Sequence, residues 1–188
     1  SEPGLGARPK LLATEARRKD GGYLLSGEKT YLTNGPIADL FIVVAVTGND
    51  GSRRRFTAFM VPRGAAGVTV GPPLEVNFLK PSPHGGIRLD ACPVLPQAVL
   101  GREGAAWTDL VVPLGEIEDI VMMGPTLGGM AAELAALAKT IANRPSATDA
   151  QEEALGALGS LLAALRAVAR EAADCLDRGE PTPVALTV

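Results

Sequence analysis

The sequence predicts an α+β fold: an antiparallel β-barrel or sandwich followed by an antiparallel pair of long helices. Three observations carry this. Up to about Gly101, short apolar runs rich in β-branched residues alternate with turns rich in Gly and Pro. After Trp107 the apolar residues recur at three- and four-residue steps instead. The chain is also long enough, at 188 residues with 46% hydrophobic content, to bury roughly 70% of its unfolded surface without a disulfide or metal. We divide it into a β unit over 1–103 and a helical unit over 104–188.

Thr14 to Arg18 and Tyr23 to Leu32 flank Lys19-Asp20-Gly21-Gly22, a hairpin signal. Leu40 to Val46 is a continuous apolar run whose length and branching favour a strand buried on both faces. Asn49-Asp50-Gly51-Ser52 is the next turn, and strands follow at Phe56–Val61, Gly67–Val70 and Gly86–Leu89. In the second half, Ile117, Ile120, Val121, Leu127, Ala131, Leu134, Ala138 and Ile141 form one helical stripe. Pro125 interrupts it, which predicts a kink or a late helix start. Thr148-Asp149-Ala150-Gln151 has capping-box form. Leu155, Leu158, Leu162, Leu165, Ala169, Ala172 and Leu176 form the second stripe, and Gly179 and Pro181 stop it. Two such helices cannot bury both apolar faces alone, so a homodimer or homotetramer is expected.

Composition excludes several classes of function. A net charge of -3 argues against a partner held by nucleic-acid phosphates. Cys92 and Cys175 lie far apart in sequence, form no zinc pattern and read as small core residues. One histidine, His84, excludes a multi-His metal site and reads as a turn residue. No run reaches 18 continuous apolar residues, so no membrane span is expected. Both ends read as cuts in a longer chain.

Three segments could carry chemistry. The Gly4-Leu5-Gly6 turn could bring backbone N–H groups to an anion or a flat ring, or be a plain loop. Tyr31-Leu32-Thr33-Asn34-Gly35 ends a strand with an aromatic, a hydroxyl and a turn, which suits either a flavin or an ordinary hairpin end. Glu116, Glu118 and Asp119 read as acids complementing a helix start, with a general base as the alternative. Arg53-Arg54-Arg55 reads as a solvated loop.

In order, these pieces resemble the acyl-CoA dehydrogenase family of flavoenzymes. Ser1-Glu2-Pro3-Gly4-Leu5-Gly6-Ala7 is similar to the family's Thr/Ser-Glu-Pro-x-x-Gly-Ser. Gly27-Glu28-Lys29-Thr30-Tyr31-Leu32-Thr33-Asn34-Gly35 is similar to Gly-x-Lys-x-Trp-Ile-Thr-Asn-Gly. Ala38-Asp39-Leu40-Phe41, Phe59-Met60-Val61-Pro62 and Val99-Leu100-Gly101 also fit. The resemblance implies a middle β-domain plus the first two helices of the C-terminal domain.

The same resemblance implies an FAD ring held by Ser1, Gly6, Tyr31, Leu32 and Thr33. Thr33 would donate towards flavin N5, and Tyr31 would cover one ring face. Arg144 corresponds to an arginine that reaches the FAD of a neighbouring subunit, although Pro145-Ser146 replaces the Phe-Gly that usually follows it. Glu118 corresponds to the catalytic base of some members, with Asp119 in place of their arginine. The implied function is α,β-dehydrogenation of an acyl-CoA thioester, with an electron-transfer flavoprotein as acceptor and a cytoplasmic location. Ala7, Tyr31, Pro145-Ser146 and Asp119 mark a divergent member. They keep two alternatives in view, a non-catalytic scaffold and a flavin-dependent hydroxylase.

Overall fold

The computed structural model of the chain describes residues 1–5, 8–77, 80–144 and 148–182. It divides into two compact units, Ser1–Val112 and Pro113–Val188.

The first unit is a seven-stranded sheet: β1 (Glu15–Lys19), β2 (Gly22–Thr33), β3 (Leu40–Asp50), β4 (Arg53–Pro62), β5 (Val68–Val70), β6 (His84–Val94) and β7 (Val99–Leu100). Their order across the sheet is β5-β6-β2-β1-β3-β4-β7. Every neighbouring pair is antiparallel except β1 and β3, which meet in parallel at Glu15 and Val46. The β1–β2 turn has Asp20 at φ 49 and Gly21 at φ 80. Two left-handed residues in succession give the hairpin turn whose twist matches its strands.

Alternation along each strand sends one set of side chains to a common core. Ala16, Tyr23, Leu25, Phe41, Val43, Ala45, Phe59, Val61, Ile87, Leu89, Cys92 and Val94 make up that core. The Tyr23 and Phe59 rings meet edge-on at 5.0 Å although β1 and β3 lie between their strands. The sheet therefore curls around its core as an open barrel. A second cluster of Leu12, Phe56, Ala58 and Ala106 covers part of the opposite face, with Val44, Val46 and Trp107 against it.

That second cluster corrects the expectation for β3. On the outer face Val44 and Val46 are partly covered by it, but Leu40 and Ile42 are about half exposed. A run of apolar residues does not by itself distinguish these cases. Arg53, Arg54 and Arg55 open β4 rather than lying in a loop, and Arg54 Nη1 donates to the Leu12 carbonyl at 2.7 Å.

The helical unit holds α1 (Val112–Ala142) and α2 (Asp149–Arg178). A π-helical turn over Trp107–Val111, packed through Trp107 on Phe56, leads into α1. The helix therefore starts early and runs without a break through Pro125. The lost N–H bond of one proline is carried by the turns on either side.

Ile120, Leu127, Ala131, Leu134, Ala138 and Ile141 are among the partly covered positions of α1, as the period predicts, together with Gly115, Asp119 and Met123, while Ile117 and Val121 are exposed. On α2, Leu162, Ala172 and Cys175 are buried and Leu158 is half exposed. Leu134 approaches Gly159 mid-helix, and Thr182 Oγ1 donates to Glu116 Oε1 at 2.9 Å, so the pair is antiparallel. Thr148 and Gln151 form the reciprocal capping box, and Gly179 closes α2 at φ 67. The stretch Trp107–Ala142 contains an 18-residue window of mean hydropathy 1.4 with none of it buried. Its length and composition are sufficient for a membrane span, which corrects the argument from continuous runs. A helix that packs in an apolar bundle has the same profile.

Candidate functional site

The N-terminal segment is fixed to the sheet by a buried ion pair. Glu2 Oε1 accepts from Lys29 Nζ at 2.7 Å and from Thr14 Oγ1 at 2.5 Å. The Thr14 N–H adds a bond at 3.1 Å, and the Ala13 N–H reaches Oε2 at 2.6 Å. Lys29 Nζ also donates to the Val44 carbonyl at 2.9 Å. Burial alone would raise the Glu2 pKa, but the bonds from Lys29, Thr14 and Ala13 outweigh it and hold it at about 2. Burial pushes the Lys29 ammonium below its ordinary value, opposed by Glu2. Glu2 and Lys29 stand in the two quoted motifs, yet their pairing across 27 residues was not anticipated. Each motif supplies one half of it.

This anchor sets Ser1 beside the end of β2. Ser1 Oγ donates to the Thr30 carbonyl at 2.7 Å, and the Thr30 N–H donates to the Ser1 carbonyl at 3.1 Å. Thr30 Oγ1 is buried without a hydrogen-bond partner among the described residues. Gly6 lies outside the described residues.

Beyond Lys29 the β2–β6 ladder slips. Lys29 pairs with Ile87 and Leu32 with Gly85, so three steps on β2 oppose two on β6. The extra residue forms a bulge, with Tyr31 at φ 57. A left-handed tyrosine is strained by about 1–2 kcal/mol, and the residue is 66% exposed. Leu32 is partly buried and packs against the barrel core. Thr33 is exposed, and its Oγ1 lies 3.2 Å from Nε2 of His84.

His84 is not a turn residue. It opens β6, is buried, and its Nδ1 lies 2.9 Å from the Ser82 carbonyl. Sequence reasoning missed its role because its partner, Thr33, is 51 residues away. The structure thus brings Ser1, Tyr31, Leu32 and Thr33 to one end of β2 and adds His84 to them.

Arg144 and Glu118 belong to the helical unit. Arg144 is exposed just past α1, its N–H bonded to the Ile141 carbonyl at 3.0 Å. Glu116, Glu118 and Asp119 do not sit in a first helical turn, because the helix begins well before them. Helix-start complementarity therefore does not account for them. Glu118 is exposed, and the helical unit gives it no dry pocket. No group of three or more potential metal ligands occurs among the described residues.

Residues 1–92 match the family described as "Acyl-CoA dehydrogenase, middle domain". The chain is 34% identical over 103 residues to benzylmalonyl-CoA dehydrogenase of Aromatoleum aromaticum, covering 55% of this chain and 26% of that one. It is 30% identical over 132 residues to the mitochondrial isovaleryl-CoA dehydrogenase of Arabidopsis thaliana, covering 70% and 32%. A crystal structure titled FAD-dependent dehydrogenase superposes with a TM-score of 0.75 at 27% identity, covering 95% of this chain and 49% of that one. The chain thus spans about half the length of the solved relative, and the matches cover about a third or less of the curated ones. The sheet, the two motif segments joined by Glu2 and Lys29, and the sequence matches agree that residues 1–92 form a middle domain of the acyl-CoA dehydrogenase family.

Proposed function

We propose that this chain is the flavin-holding part of an FAD-dependent dehydrogenase that oxidises acyl-CoA thioesters between the α and β carbons. The observation that carries the reading is the end of β2. A strained bulge holds an aromatic ring out of the barrel, with an exposed hydroxyl two residues on and Ser1 tied alongside. Strain is retained where surrounding structure over-determines it, and bulges re-aim side chains beside functional sites.

The residues fit the group. Tyr31 offers a flat face, Thr33 a polar atom at its edge, and the backbone of Leu32 lies between them. When bound, FAD supplies the two-electron acceptor. Tyr31 would cover one face of the ring and exclude water from it. Thr33 would fix the ring edge by a hydrogen bond. Glu2 and Lys29 hold Ser1 at its post beside Thr30. The names of the relatives, dehydrogenases of CoA esters, support the substrate class.

Glu118 is assigned as the base by the resemblance alone, and Arg144 as a contact to a neighbouring subunit's FAD on the same ground. The exposure of Glu118 favours a second reading, a family member that binds flavin without dehydrogenating. Reconstituting the intact protein with FAD and adding an acyl-CoA separates the two. Bleaching of the flavin supports the dehydrogenase, and E118Q then loses at least about two orders of magnitude in turnover if Glu118 is the base. Stable binding with no bleaching by any acyl-CoA supports the second reading.

A further inference from the structure

We propose that His84 is a positioning residue that draws the Thr33 hydroxyl proton inward, so that Thr33 presents a lone pair, not a proton, to a ligand at the end of β2. The argument starts at the other ring nitrogen. Nδ1 of His84 lies 2.9 Å from the Ser82 carbonyl oxygen. A carbonyl only accepts, so Nδ1 carries hydrogen. In the neutral ring, Nε2 is then a bare acceptor. The Thr33 hydroxyl, 3.2 Å away, donates to it.

A hydroxyl has one proton and two lone pairs. With the proton committed to His84, the outer side of the Thr33 oxygen can only accept. His84 is buried and Thr33 exposed, so the accepting side is the open one. This reverses the direction of the bond that the resemblance implies for Thr33. It rests on the flavin reading for one consequence. The site favours a ring nitrogen that bears hydrogen, as flavin N5 does in its reduced form, over a bare one.

The first test needs no flavin. In 15N-histidine NMR of the intact protein without cofactor, the His84 signal is identified by its loss in H84Q. A bare Nε2 with a protonated Nδ1 is expected, and Nε2 should shift in T33V. A protonated Nε2, in either the neutral or the charged ring, overturns the proposal.

The second test compares affinities for oxidised and reduced FAD. T33V and H84L are each expected to weaken the preference for reduced FAD by about tenfold, equivalent to ~30 mV for a two-electron couple. H84L should add nothing in the T33V background. An equal effect of H84L in both backgrounds means a structural role and overturns the proposal. Failure of FAD to bind, with Nε2 bare, overturns the flavin reading and still supports the orientation of the Thr33 hydroxyl.

Discussion

At the residue scale, the Glu2–Lys29 pair and Tyr31 are the positions where chemistry and folding meet. Lys29 is buried against Glu2, so K29M leaves a carboxylate in the barrel wall without its counter-charge. Removing one partner of a buried pair costs about 3–5 kcal/mol. Urea unfolding of K29M should show a loss of that size, and E2Q with K29M should recover part of it. The same pair predicts an acid limit. Glu2 has a folded pKa of about 2, below the ordinary carboxylate value of 4.5. Its contribution is therefore present above the unfolded value and lost as pH falls through the folded one. The midpoint of urea unfolding should fall between pH 4.5 and 2 in the wild type, and less steeply in E2Q. Tyr31 makes the opposite kind of prediction. Y31G relieves the left-handed strain but adds chain entropy to the unfolded state. It should raise stability by up to about 1 kcal/mol while weakening FAD binding. A tyrosine that served only packing would cost stability when removed.

At the scale of elements, the sequence was informative wherever one local rule acted alone. The hairpin at Asp20-Gly21, the capping box at Thr148 and the glycine stop at Gly179 were legible because each needs only a few adjacent residues. T148A removes the side-chain acceptor for the Gln151 N–H and should destabilise α2 by about 1 kcal/mol, read as a lower thermal midpoint. The stripe on α1 was legible for the same reason, since the period survives whatever packs on it. The start of α1 was not, because Trp107 is held by Phe56 in the barrel, far from any helical signal. The outer face of β3 was misread because an apolar run does not record which face is covered. At the site, Tyr31 and Thr33 were legible from their motif. The bulge at Tyr31 depends on register with β6, and the His84 contact depends on pairing across the sheet, so neither could be read along the chain.

At the scale of the whole molecule, α1 leaves Val121, Met122, Met130 and Leu137 exposed, and α2 leaves Leu158, Leu161 and Val168 exposed. Met130, Leu137, Leu158 and Leu161 share one groove between the helices. Contiguous apolar surface of this kind is rare on a soluble monomer. Light scattering of the intact protein at micromolar concentration should therefore give a dimer or tetramer, and a monomer would refute that expectation. The central claim remains the flavin at the end of β2, and the absorbance spectrum of the intact protein, purified and then titrated with FAD, tests it most directly. The account predicts a yellow protein that binds one FAD per chain, with the flavin spectrum perturbed by T33V and by Y31G. An intact, folded protein that neither retains FAD nor takes it up would contradict it.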